Sequence, residues 1–210
     1  MIKLYWSPRS RSFSAIWLLE ETGLPYERVL TDITTGAQKA PEYLAINPMG
    51  KVPGLKDGDS ALGEAAAICA YIADRYPETK LAPAATDPLR ARYLQWLFFS
   101  PSCIEPALIQ LFTKLEVPAS TAAWGSAAQT FDVLDAALQK GPWILGEKFS
   151  AACRDALDLL GNYDRDTLLS QNAFYRDVYK PNRDSLVEKW SVLVEGQVKK
   201  EKTTGRPSRP

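Results

Sequence analysis

The sequence predicts an α/β domain with elements in the order β-α-β-α-β-β-α, followed by an all-α helical-bundle domain. Three observations carry that reading. Up to about residue 77, short aromatic and branched runs alternate with segments of helical period. From Glu78 to Pro88, prolines and small residues accumulate, as in a linker. Beyond that point, every periodic segment is helical.

Ile2 to Trp6 reads as a strand halted by Ser7-Pro8. From Phe13 the period changes, with Phe13, Ile16, Trp17 and Leu19 at helical spacing and Gly23 and Pro25 as the stop. Ser10, Ser12 and Ser14 all stand where an N-cap is needed. Tyr26 to Leu30 is a second strand, Pro41 to Leu44 a short helix, and Asn47-Pro48-Met49-Gly50 a turn. Lys51 to Leu55, the turn at Asp57-Gly58-Asp59 and Ser60 to Leu62 form a hairpin with proline at the mouth of its first strand. Glu64 to Tyr76 is a strong helix ended by Pro77. The domains therefore run 1–77 and 89–198, with a linker at 78–88. In the second, helices are expected over 89–99, kinked or interrupted between Pro101 and Pro106, then over 121–140, 150–160, 166–179 and 185–198. The segment 199–210 is polar, basic and proline-bearing, and reads as a disordered tail.

Composition narrows the chemistry. The 210 residues are 46% hydrophobic and 24% charged, an ordinary globular balance. The 25 Lys and Arg equal the 25 Asp and Glu, so no overall field points to nucleic acid or an anionic membrane. There is no histidine, which removes Ser-His-Asp and Cys-His catalysis and any imidazole metal site. Cys69, Cys103 and Cys153 lie far apart and form no C-x-x-C, so no disulfide framework or zinc site is indicated and a reducing, cytoplasmic compartment fits. The opening MIKLYWSPRSRS does not read as a signal peptide, and no run approaches the roughly 20 apolar residues of a membrane span.

Three features within the first domain could carry chemistry. At the strand-to-helix junction, Ser7 to Ser12, serine hydroxyls stand beside free helix N–H groups and a partial positive charge, which favour a thiolate. Simple N-capping would use the same serines. Lys51-Val52-Pro53 offers a candidate cis peptide that would expose the Val52 backbone to an extended peptide ligand, although an edge-strand proline in a trans bond is also possible. Glu64 opens a helix where a carboxylate could meet an ammonium group and the first N–H groups a carboxylate; it could equally serve only the helix dipole.

The strings LYWSPRSRSF, WLLEETGLPYE, INPMGKVPGLKDGD, GEAAAICAYIADRYPETKLAP and GPWILGEKFSAA, in this order, resemble the glutathione transferase superfamily, most of all its bacterial cytosolic members. The resemblance covers about residues 1–152. It implies a thioredoxin-like glutathione-binding domain followed by a helical one. By the same resemblance Ser10, or Ser12 in another register of the loop, meets the glutathione sulfur. Val52 pairs with the cysteinyl backbone, Pro53 is the cis proline, Glu64 meets the γ-glutamyl end and Lys51 the glycyl carboxylate. Ala65 stands where the family often has Ser or Thr, removing one hydroxyl donor. A second departure follows Ala152: Cys153 takes the place of the usual Asp and the acid comes only at Asp155. A change of reading frame near Cys153, or a spliced end in the underlying gene, would produce that ending.

The reaction implied is conjugation of the glutathione thiolate to a small, hydrophobic electrophile, with glutathione as co-substrate and no bound metal or prosthetic group. A homodimer is implied as well, without nucleic acid or membrane as partners. Tyr93, Trp96 and Trp124 could line the electrophile's pocket, or could be helical core. A non-catalytic glutathione-binding or protein-interaction member, and a glutathione-dependent dehalogenase or isomerase, are the alternatives.

Overall fold

Residues 1–139, 143–146 and 149–152 are described by a computed structural model of the chain. Alternation in Ile2-Lys3-Leu4-Tyr5-Trp6 makes the first strand, β1 (Ile2–Trp6), with Ile2, Leu4 and Trp6 buried on one face. Helix α1 (Ser12–Thr22) buries Ala15 to Leu19 and ends at Gly23, whose φ of 66° lies in the left-handed region that glycine adopts without penalty. β2 (Tyr26–Leu30) returns parallel to β1, Ile2 opposite Tyr26 and Trp6 opposite Leu30. The short α2 (Pro41–Leu44) follows, with proline in its first turn.

The hairpin strands are β3 (Gly54–Asp57) and β4 (Ser60–Gly63), both antiparallel to their neighbours, and the sheet order is β2-β1-β3-β4. Helix α3 (Ala65–Arg75) stops before Pro77 and packs against α1. Leu4, Ile16, Leu18, Leu19, Leu55, Ile68 and Ile72 are all fully buried where the two helices cover the sheet. Each such side chain contributes roughly 1.5–3 kcal/mol relative to exposure. Tyr5 points to the other face, its ring edge-on to Tyr43 of α2 at 5.8 Å. This is the thioredoxin-like arrangement expected from the element order.

One boundary differs from the sequence reading. Lys51, Val52 and Pro53 precede the strand instead of opening it, because the first ladder partner, Tyr5, meets Gly54.

After a tight turn at Pro77–Thr79, the Leu81 carbonyl accepts the Ala151 N–H at 2.9 Å. Helix α4 (Arg90–Phe99) does not break at Pro101. It passes through a π-helical turn (Ser100–Ile104) straight into α5 (Glu105–Thr113), with Pro106 in the first turn, where its missing N–H matters least. Helix α6 (Ala127–Leu138) begins later than 121 because Ser126 is a true N-cap, accepting the Gln129 N–H at 3.2 Å. The helices expected over 150–160, 166–179 and 185–198, and the tail, lie outside the described residues except for 150–152. No helix among the described residues is long and apolar enough to cross a membrane.

Candidate functional site

The register of the sheet brings the three sequence features to one end. Tyr5 pairs with Gly54, and Gly54 with Gly63, so three adjacent strands share one row. Just beyond that row lie the Ser7–Ser12 junction, the Val52–Pro53 bond and Glu64. Strands about 4.8 Å apart place the outer two of these roughly 10 Å from one another.

At the junction the chain turns through Arg9, whose φ of 53° is left-handed. Ser10 Oγ then lies 2.7 Å from the Ser7 carbonyl oxygen and 2.8 Å from Ser12 Oγ, and accepts the Ser12 N–H at 3.2 Å. Ser12 Oγ accepts the Ser7 N–H at 3.3 Å. The two serines are therefore brought together but are not equivalent. Ser12 is 0% exposed, whereas Ser10 reaches the surface. Across the junction, the Arg11 guanidinium is 3.8 Å from the Glu105 carboxylate at the start of α5.

The Val52–Pro53 bond is cis, as the sequence suggested. The Val52 N–H and C=O make no hydrogen bond among the described residues. The carbonyl just before them is firmly held: Lys51 O accepts from the Tyr43 hydroxyl and from Asn47 Nδ2, the latter at 2.8 Å. Asn47 is buried, and its Oδ1 accepts the Met49 N–H at 3.1 Å. Burial pushes the Tyr43 phenol up to about 12, so it is a permanent donor at neutral pH. Lys51 itself is exposed and Pro53 buried.

Glu64 is exposed and adopts φ 64°, ψ 117°, an unfavourable backbone for a non-glycine residue, at the head of α3. Its carbonyl accepts the Ile68 N–H at 2.9 Å. The N–H groups of Ala65, Ala66 and Ala67 make no hydrogen bond among the described residues and face out of the helix start. A Cβ at Gly63 would fall 2.4 Å from Asn47 Nδ2, so only glycine lets Asn47 lie between the Lys51 carbonyl and the end of β4.

Tyr43 and Asn47 were not singled out as site residues from the sequence. Asn47 carried a signal in its Asn-Pro-x-Gly turn, but nothing local marks Tyr43, whose role comes from α2 crossing the loop.

The aromatic trio is divided between the helical core and a partly exposed position. Tyr93 is 0% and Trp96 5% exposed; both are core residues of α4, Trp96 packing edge-on against Phe99 at 5.0 Å. The Tyr93 hydroxyl, unpartnered among the described residues, has its pKa raised by burial. Trp124 is partly exposed and donates from Nε1 to Gln110 Oε1 at 2.9 Å. A cleft of about 820 Å³ opens between α5 and the start of α6, with Gln110, Leu111, Leu115, Val117, Pro118 and Ala127 in its wall, and none of the three aromatics lines it.

The family model for the glutathione S-transferase N-terminal domain matches residues 2–74. Glutathione S-transferase 3 of Zea mays is 35% identical over 168 residues, 72% of this chain and 73% of the relative. The chain belongs to the glutathione transferase superfamily. Within the same range of likeness lies the disulfide-bond oxidoreductase YfcG of Escherichia coli (strain K12), 30% identical over 72% of this chain and 75% of its own. Among solved structures, a glutathione transferase family member from Pseudomonas fluorescens, with two glutathione bound, aligns at a TM-score of 0.69 and 28% identity, covering 85% of this chain and 87% of that one. Family membership does not by itself choose between transfer and disulfide chemistry.

Proposed function

We propose that this chain is a glutathione transferase: it binds glutathione along the end of its sheet and joins the thiolate to a small hydrophobic electrophile. The observation that carries the reading is the shared row of Tyr5, Gly54 and Gly63, which sets the three features side by side. Its span of roughly 10 Å suits a ligand whose γ-glutamyl end lies at Glu64, whose cysteinyl backbone lies at Val52 and whose sulfur reaches the junction. In this reading the sulfur lies at Ser10, and the cysteinyl backbone pairs with the Val52 N–H and C=O. The γ-glutamyl ammonium meets Glu64, its carboxylate the N–H groups of Ala65 to Ala67, and Lys51 takes the glycyl carboxylate. In this reading 1–77 and 89–198 are separate domains joined by 78–88. The working protein is a cytoplasmic homodimer.

The chemistry needs little beyond that placement. A free thiol of pKa ~8.5 is only about 3% thiolate at pH 7, and lowering it to ~7 makes about half of it thiolate. The Ser10 hydroxyl donates to the sulfur anion and the thiol proton passes to solvent. The sulfur lone pair then forms the S–C bond while the leaving group departs with its electron pair. Proximity of the two reactants supplies the rest of the rate. No cysteine lies in the Ser7–Ser12 junction, so this reading uses no protein thiol there.

Conjugation to a generic aryl halide tests the proposal. Wild type should exceed the uncatalysed rate at neutral pH, and Ser10→Ala should lose about 10- to 100-fold while still binding glutathione. Wild-type turnover at background with glutathione bound would instead establish a binding protein.

A further inference from the structure

We infer that Ser12 is a positioning residue that aims the Ser10 proton at the glutathione sulfur. This rests on the glutathione-binding reading above and assigns a role to a side chain that cannot itself reach the ligand.

Ser12 is 0% exposed, so no bound sulfur touches its hydroxyl. Ser12 Oγ lies 3.3 Å from the Ser7 N–H donor and 2.8 Å from Ser10 Oγ. A backbone N–H can only donate, so Ser12 Oγ accepts from Ser7 and has one proton left to place. Ser10 Oγ is its sole acceptor among the described residues. Ser10 Oγ also accepts the Ser12 N–H at 3.2 Å, so whenever the Ser12 hydroxyl donates to it, both of its acceptor sites are filled by one residue. The Ser10 proton has two acceptors, Ser12 Oγ at 2.8 Å and the Ser7 carbonyl at 2.7 Å; a sulfur anion that draws this proton outward leaves the hydroxyl pair running from Ser12 to Ser10. Ser10 is only half-buried, so a thiolate can take the place of that carbonyl by rotation about a single bond.

The result is a one-way chain, Ser7 N–H to Ser12 Oγ–H to Ser10 Oγ–H to sulfur. Each donor polarises the next, strengthening the last bond, the one made to the anion. Without the Ser12 hydroxyl, the Ser10 oxygen keeps only the Ser12 N–H, and its proton loses both its imposed direction and part of its acidity. The Ser7 N–H meanwhile is left buried without its acceptor.

The test compares wild type, Ser10→Ala, Ser12→Ala and the double variant by glutathione affinity, by the ultraviolet absorbance of the bound thiolate across pH, and by the pH profile of conjugation. Ser12→Ala should lower neutral-pH conjugation by about three- to tenfold and move the thiolate titration to higher pH correspondingly, with glutathione affinity within about twofold of wild type. In the Ser10→Ala background the same change should do nothing further. Ser12→Cys, close in shape but a poor donor, should repeat the effect and covers the case in which the alanine variant does not fold. A titration left at the wild-type position, a loss of equal size in both backgrounds, or a lowered melting temperature without any movement in pH would each overturn the role. Failure of wild type to bind glutathione would overturn the functional reading itself, and is seen before any variant is made.

Discussion

Replacing Asn47 by alanine tests how the cysteinyl subsite is held in place. The change removes a 2.8 Å bond to the Lys51 carbonyl and a 3.1 Å bond from the Met49 N–H, both next to the residues that would carry the ligand. Each bond contributes about 0.5–1.5 kcal/mol net, so the loss is about 1–3 kcal/mol. For a chain of this size, each kcal/mol lowers Tm by about 2–4 °C, so a fall of roughly 2–12 °C is expected. The Lys51 carbonyl keeps one donor, the Tyr43 hydroxyl, and the Val52 backbone is loosened without being released. Glutathione should therefore bind about three- to tenfold more weakly, corresponding to about 0.7–1.4 kcal/mol.

Tyr43→Phe removes the other donor and should weaken binding by a similar factor. Together the two changes strip every side-chain donor from one part-buried carbonyl, so the double variant should be worse than the sum by about 0.5–3 kcal/mol. Thermal unfolding and calorimetric titration with glutathione measure both quantities on the same four proteins. Strict additivity, or affinities within twofold of wild type despite a lower Tm, would refute the claim that these two residues act on Val52 through Lys51.

Other outcomes follow from the same geometry. Ala65→Ser restores a hydroxyl at the head of α3 beside N–H groups without partners, and should tighten glutathione by up to about fivefold, about 1 kcal/mol, in direct titration. In alkali, the Tyr43 phenol ionises at about 12 in the fold against 10.0 ordinarily, so its contribution to stability is full below pH 10 and is lost as pH rises through 12. Tyr26 and Tyr93 are displaced in the same direction, by burial first, and add to that loss. Unfolding followed against pH should show stability declining from about pH 10 upward, with a shallower decline in Tyr43→Phe.

Much of this architecture was legible because local signals agreed. The alternation in Ile2 to Trp6, the Gly23 stop, the Asp-Gly turn of the hairpin and the Pro77 terminator each act within a few residues, and all fell where expected. What escaped the sequence depends on partners distant along the chain. Pro101 and Pro106 looked like a kink or a break, yet a π-helical turn absorbs the first and a helix start accommodates the second. Gly54, not Lys51, begins the hairpin because Tyr5 of β1 sets the register. At the site, the order of Ser10, Val52 and Glu64 was readable, and so was the cis bond at Pro53. The difference between Ser10 and Ser12 was not, since both are serines at a helix start and only burial separates them. Tyr43 and Asn47 act across a loop on a backbone carbonyl, which no single-sequence pattern reveals. The aromatic residues Tyr93 and Trp96 carry the converse lesson: aromatic stripes at helical spacing are used here for packing.

The most direct check of where the tripeptide lies is an amide NMR titration of the wild-type chain with glutathione. Shifts should concentrate at Ser10 to Phe13, at Lys51 and Val52, and at Ala65 to Ala67, with the cleft at Leu111 and Leu115 unmoved. Perturbation centred on that cleft, or none at millimolar ligand, would contradict a sulfur anion held where the first strand meets its helix.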